Sequence, residues 1–200
     1  GNQVWNDVFL ISATDGFVVG NGGEVRRWNG SAWNAVLGGS GTGQTLNSLH
    51  CSSATNCFAA GNSGVIVRWN GSAWSLSVDT GNQVWNDIFL ISATDGFVVG
   101  NAGEIRRWNG ASWDAVSGGS GTTQNLNAGH CVSATNCWAV GRNGVMISSS
   151  GTAWSAFSPL PTGQGLNGIF LSSPNAGFAV GGSGVILSLS GGGFTTTGSL

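Results

Sequence analysis

No tyrosine and no lysine occur in these 200 residues, there are three prolines and two histidines, and 7% of the side chains are charged, against a usual share of about 25%. Each scarcity removes a class of function. Without tyrosine there is no sialidase-type nucleophile, and without lysine there is no Schiff-base chemistry. Six arginines against eight carboxylates give a net charge of −2 with no basic run, so nucleic acid and acidic membrane surfaces are not expected partners. No stretch approaches the ~20 apolar residues of a spanning helix, so no membrane insertion is expected. No serine stands with a histidine and an acid in a recognisable triad arrangement. The chain therefore reads as non-enzymatic, with no catalytic residues, no cofactor and no metal ion.

What is present is glycine, 36 residues of it, ten tryptophans, and repetition. Trp33, Trp74, Trp113, Trp154 and Phe194 align five copies of one paragraph. The equivalent positions Trp5, Leu46, Trp85, Leu126 and Leu166 are spaced by 41, 39, 41 and 40 residues. A two-copy period lies beneath this one, since Gly1 to Gly30 returns at Gly81 to Gly110 with only Val8/Ile88, Gly22/Ala102 and Val25/Ile105 changed. A strand-rich repeat of about 40 residues cannot bury its apolar face alone and is the mark of a propeller blade. The expected fold is all-β: a five-bladed β-propeller with four short antiparallel strands per blade. The expected blades are residues 1–41, 42–80, 81–121, 122–161 and 162–200 of one domain.

Within a blade, the strands are expected at Val4–Ser12, Gly16–Val19, Glu24–Trp28 and Ala32–Leu37, separated by Gly, Asn, Asp and Ser. Asn29-Gly30, Asn70-Gly71 and Asn109-Gly110 predict type I′ hairpins between the last two strands. The recurring pair Gly20 and Gly23, seen again in every blade, predicts the turn between strands two and three, where positive φ or close approach is needed. A phosphate-cradling loop is the alternative, but no helix N-terminus follows it.

The run Asp15-Gly16-Phe17-Val18-Val19-Gly20, then Gly23, then Trp28-Asn29-Gly30-Ser31-Ala32-Trp33 resembles the repeats of bacterial secreted β-propellers, those related to photosystem II assembly factors and sialidase-type (Asp-box) repeat proteins. The resemblance covers the whole chain. It implies a blade architecture and leaves adhesins, lectin-like modules, assembly factors and hydrolase accessory domains all open.

Four cysteines form two matching Cys-x5-Cys pairs, Cys51/Cys57 and Cys131/Cys137, at positions held by Leu10/Gly16, Leu90/Gly96 and Leu171/Gly177 in the other blades. They flank the first hairpin and are expected to face each other across it as disulfides. Metal binding by His50-Cys51 and His130-Cys131 is the rival reading, but adjacent strand residues point to opposite faces. Disulfides predict an oxidising, extracellular or cell-surface location. His50 and His130 replace Phe9, Phe89 and Phe170 and are read as rings filling an aromatic position.

Two rows of residues are candidates for binding. Asn6, Asn47, Asn86, Asn127 and Asn167 stand once per blade at the start of the innermost strand, where they either line a channel or hydrogen-bond the neighbouring blade's backbone. Arg27-Trp28, Arg68-Trp69 and Arg107-Trp108 occur only in the first three blades, where they either cover the hairpin end or present an arginine–tryptophan arc along the outer rim to a partner. Glu24 with Arg26, and Glu104 with Arg106, are expected to form ion pairs, with the arginines opposite Trp33 and Trp113. The expected function is an extracellular or cell-surface interaction module that binds a protein partner or copies of itself; the alternative is a glycan-binding, lectin-like propeller.

Overall fold

A computed structural model describes residues 2–151 and 153–198. The chain divides into two compact units, Gly1–Ala93 and Thr94–Leu200. Five four-stranded antiparallel sheets account for the strands of the described residues, each drawn from a single repeat, as the repeat period predicts. The first sheet contains β1 (Trp5–Ser12), β2 (Asp15–Gly20), β3 (Val25–Trp28) and β4 (Trp33–Ala35). The second contains β5 (Leu46–Ser53), β6 (Asn56–Gly61), β7 (Val65–Trp69) and β8 (Trp74–Asp79). The third has β9 (Trp85–Ser92), β10 (Asp95–Gly100), β11 (Ile105–Trp108) and β12 (Trp113–Ala115). The fourth has β13 (Leu126–Ser133), β14 (Asn136–Gly141), β15 (Met146–Ser149) and β16 (Trp154–Ala156), and the fifth β17 (Leu166–Ser173), β18 (Ala176–Gly181), β19 (Ile186–Ser190) and β20 (Gly193–Gly198). No helix of the described residues is long and apolar enough to cross a membrane.

Alternate residues of each strand serve opposite faces of the sheet, so one repeat presents two different apolar surfaces. In the first sheet, Phe17, Val19 and Val25, with Phe9, Ile11 and Val36, pack on Leu49, Cys51, Ala59, Val67, Trp69 and Trp74 of the second. The fifth sheet meets the fourth in the same way, with Leu166, Leu171, Ala179, Leu187 and Phe194 against Trp138, Val140 and Met146. In both pairs the contact is made by the leading face of the earlier sheet and the trailing face of the later one.

The turn between the second and third strands is one 3₁₀ turn per repeat, Asn21–Gly23 in the first. Its last glycine needs positive φ, as at Gly64 (φ 72°). Gly61, which precedes the turn of the second repeat, is extended and is required for a different reason: a Cβ there would overlap the carbonyl oxygen of Thr45. Asn62 N–H donates to that same oxygen at 2.9 Å, which fixes the turn against the strand entry.

Two local expectations are corrected. Trp28 pairs with Trp33, so the last hairpin has a four-residue loop, Asn29–Ala32, rather than a two-residue type I′ turn. Only Gly30 of the Asn-Gly pair has positive φ (92°). The asparagine acts instead through its side chain, whose Oδ1 accepts from the N–H groups of Ser31 (3.0 Å) and Ala32 (2.9 Å). That register also places Arg26 opposite Ala35 and Arg106 opposite Ala115, not opposite the tryptophans.

Candidate functional site

The cysteines pair as expected: Cys51 with Cys57 and Cys131 with Cys137, on one rung of each inner hairpin with Cα atoms 4.0 and 4.1 Å apart. The other sheets fill this rung with Leu10 opposite Gly16 and Leu171 opposite Gly177. There a Cβ on Gly16 would lie 2.7 Å from Leu10 Cδ2, so the glycine makes room for the leucine.

The asparagine row holds the inner strands of consecutive repeats together. Asn6 Nδ2 donates to Leu46 O (2.8 Å) and Asn21 Oδ1 (3.1 Å), and Asn47 Nδ2 to Trp85 O (2.8 Å) and Asn62 Oδ1 (3.1 Å). Asn127 Nδ2 donates to Leu166 O at 2.8 Å. Asn86 is also engaged, whereas Asn167, in the last sheet, is exposed. The reading that these amides bond the neighbouring blade's backbone thus describes Asn6, Asn47 and Asn127. Removing such an amide leaves a part-buried carbonyl without its donor, so Asn47→Ala should cost about 1 to 3 kcal/mol. Asn167→Ala should be close to neutral, and chemical denaturation of the two variants measures the difference.

The histidines do more than fill an aromatic slot. His130 lies 4.7 Å from the Phe170 ring and His50 4.5 Å from Phe9. His50 Nδ1 accepts from Leu90 N–H and His130 Nδ1 from Leu171 N–H, both at 3.3 Å. Burial pushes the His130 imidazole below its usual pKa, which favours the neutral ring that this acceptor role needs.

The rim carries the largest departure from expectation. Glu24 and Glu104 stand just before their strands and are exposed, and the two ion pairs among the described residues are instead Arg27–Asp15 and Arg107–Asp95, each 2.8 Å from Nε to Oδ1. Nη2 of each arginine closes a fork on the second oxygen at 3.0 Å. In the second repeat Asn56 Oδ1 accepts both Arg68 Nε (3.1 Å) and Nη2 (2.9 Å). The hydrogen bond from Arg27 holds the Asp15 carboxyl below the ordinary carboxylate range. Strand alternation sends the arginines and their neighbouring tryptophans to opposite faces. Arg27 lies over Phe17 and Trp69 (5.4 Å to each ring centre), Arg68 over Phe58 (5.4 Å) and Arg107 over Phe97 (5.2 Å). Trp69 and Trp108 are buried and Trp28 half-buried. Trp69 packs against the first sheet, and Trp69 and Trp108 present no open ring along the rim.

What remains open at the rim is a groove of about 630 Å³ between the first and second sheets, lined by Asp15, Arg27, Trp28, Asn29, Leu37 and Trp69 among others. Its counterpart between the third and fourth sheets measures about 180 Å³. The difference lies in two N–H donors. In the smaller groove Arg107 Nη1 donates to Gly151 O, and Asn109 Nδ2 to Asp114 Oδ2 at 2.6 Å. In the larger, Asn34 replaces Asp114, and among the described residues neither Arg27 Nη1 nor Asn29 Nδ2 has an acceptor. The missed signal was legible: Asp15/Arg27 and Asp95/Arg107 occur together in the first and third repeats, while the fifth has Ala176/Ser188.

No family model matches the chain, and no curated protein matches it. Solved structures do. A YCF48 structure with bound D1 peptide superposes with a TM-score of 0.72 at 18% identity, over 97% of this chain and 66% of that one. YCF48 from Cyanidioschyzon merolae gives 0.70 at 18% identity, over 92% and 68%. The WD40 β-propeller domain of Doa1 gives 0.77 at 15% identity, over 96% and 68%. The chain thus spans about two thirds of the length of these proteins, and the likeness establishes its fold as that of a β-propeller repeat protein.

Proposed function

We propose that the protein is a non-catalytic interaction module, displayed in an oxidising extracellular setting, that holds an extended peptide segment of a protein partner in the groove between its first and second sheets. The observation that carries this reading is the pair of open donors, Arg27 Nη1 and Asn29 Nδ2, in a groove of about 630 Å³. Both seek acceptors, and the smaller groove supplies the chemistry: there the arginine takes a backbone carbonyl, Gly151 O. An extended peptide offers such carbonyls at regular spacing, and Leu37, 95% exposed at the groove, offers apolar contact. The likeness to a propeller solved with a bound peptide is consistent with this use. Two disulfides support the location. A glycan would need open aromatic faces to stack on, and Trp69 and Trp108 are buried.

Peptides selected from a random library on the immobilised chain provide the test. Arg27→Gln should weaken their binding about 10-fold or more, the worth of a charge-assisted hydrogen bond, while Arg107→Gln should leave it unchanged. Equal binding by wild type and Arg27→Gln, or signal only on a glycan array, would discard the reading.

A further inference from the structure

The first and third repeats are near-copies as far as Gly30 and Gly110, and they part at the residues that follow. Over residues 31–40 and 111–120, four of ten positions differ: Ser31/Ala111, Ala32/Ser112, Asn34/Asp114 and Leu37/Ser117. Asn34 and Leu37 line the larger rim groove, and Asp114 and Ser117 the smaller one.

In the third repeat these differences fill the groove from within. Asn109 Nδ2 has two acceptors there, Asp114 Oδ2 at 2.6 Å and Ser112 Oγ at 3.0 Å, and the Ser112 hydroxyl donates in turn to Asp114 Oδ1 at 2.8 Å. The first repeat has lost both acceptors. Ala32 carries no hydroxyl, and Asn34, on the rung opposite Arg27, turns its own Nδ2 to Ala32 O at 3.1 Å. The Asn29 amide cannot rotate to compensate, because its Oδ1 already accepts from Ser31 N–H, Ala32 N–H and the Ser31 hydroxyl at 3.0, 2.9 and 3.0 Å. A flip would set donor against donor, so Nδ2 stays the group presented to the groove. Arg27 is fixed in the same sense, with Nε and Nη2 taken by Asp15.

We propose that the extended segment held in this groove carries an acidic side chain, whose carboxylate takes Asn29 Nδ2 as Asp114 takes Asn109, while a backbone carbonyl of the same segment takes Arg27 Nη1. This rests on the peptide-binding reading above and names the side chain that such a peptide brings. The chain itself supplies the pattern: in the near-identical repeat the same two donors are met by one carboxylate and one backbone carbonyl. A carboxylate is admitted beside Asp95 because the arginine fork neutralises that acid, and Arg27 neutralises Asp15 in the same way. Asn34 is then a specificity-determining residue, since it leaves open the place that an aspartate would fill.

Peptides selected on the immobilised chain test this, each synthesised in two forms, one with its aspartate or glutamate and one with the matching amide. Fluorescence anisotropy should show the acidic form binding the wild type about 10-fold or more tighter than the amide form, the worth of a charge-assisted hydrogen bond. Asn34→Asp, which rebuilds the third repeat's arrangement, should weaken the acidic form by a similar factor and change the amide form little. Asn29→Asp keeps the acceptor that orders the loop but removes the donor, and should abolish the preference, whereas Arg27→Gln should weaken both forms alike; far-UV circular dichroism confirms that the variants fold. Selected peptides that depend on Arg27 but lack an acidic residue, or a preference that Asn29→Asp and Asn34→Asp leave intact, overturn this inference and leave the peptide reading standing. A library that yields no Arg27-dependent peptide overturns both.

Discussion

Trp85→Ala should cost about 3 to 5 kcal/mol of stability, the range for emptying a large aromatic site in a close-packed interior. Trp85 is fully buried, at the start of β9, and its Nε1 donates to Gly64 O at 3.2 Å, so the substitution leaves a cavity and removes a buried hydrogen bond together. Trp5→Ala, the same change in the first repeat, should cost about 1 kcal/mol or less, because that ring is already 40% exposed and leaves no enclosed void. Urea denaturation makes the comparison. Similar losses at Trp5 and Trp85 would mean that the Trp5 side chain is covered in solution.

Replacing a cysteine pair should have the next largest effect, and the form of the replacement matters. Cys51→Ala with Cys57→Ala removes a short cross-link worth about 2 to 2.5 kcal/mol in the chain-entropy picture, and also underfills a rung that packs against the first sheet. Cys51→Leu with Cys57→Gly still lacks the covalent bond, but installs the pair that the first and fifth sheets use on that rung. It should recover about 1 kcal/mol of the loss, the packing share. Denaturation curves of the wild type and the two double variants, all under oxidising conditions so that Cys131–Cys137 stays closed, separate the two parts: wild type against the leucine–glycine variant reads the covalent part, and the leucine–glycine variant against the double alanine reads the packing part. A leucine–glycine variant weaker than the double alanine would show that the rung differs between repeats in more than its side chains.

Both predictions rest on equivalences between repeats, the part of the structure that was most legible in the sequence. The aligned aromatics Trp33, Trp74, Trp113, Trp154 and Phe194 fix the repeat register, and from it follow five sheets, their strand order and the pairing of Cys51 with Cys57. Periodicity reveals this much because each repeat must satisfy the same pleat and the same neighbours. Side-chain partners were harder to read. Glu24 looked like the partner of Arg26 because two residues of one strand share a face, but β3 begins at Val25, and Asp15 approaches Arg27 from across the sheet instead. Pairing across strands depends on hairpin register, which the asparagine side chain altered by forming a longer loop than Asn-Gly suggests. The exposure of Trp69 was misjudged for a related reason: adjacency to Arg68 says nothing about which face a residue serves. The contrast between Arg27 and Arg107 depends on Gly151 O and Asp114, and no spacing rule brings those groups together.

Each sheet takes all four of its strands from a single stretch of chain, and the amides of Asn6, Asn47 and Asn127 reach beyond their own stretch only to the next one along. Adding or deleting one whole repeat therefore breaks no hydrogen-bond ladder and creates no mismatched strand. Such a gene tolerates unequal crossing-over between its copies at little structural expense, and the near-identity of residues 1–30 and 81–110 is the trace that a recent event of this kind would leave.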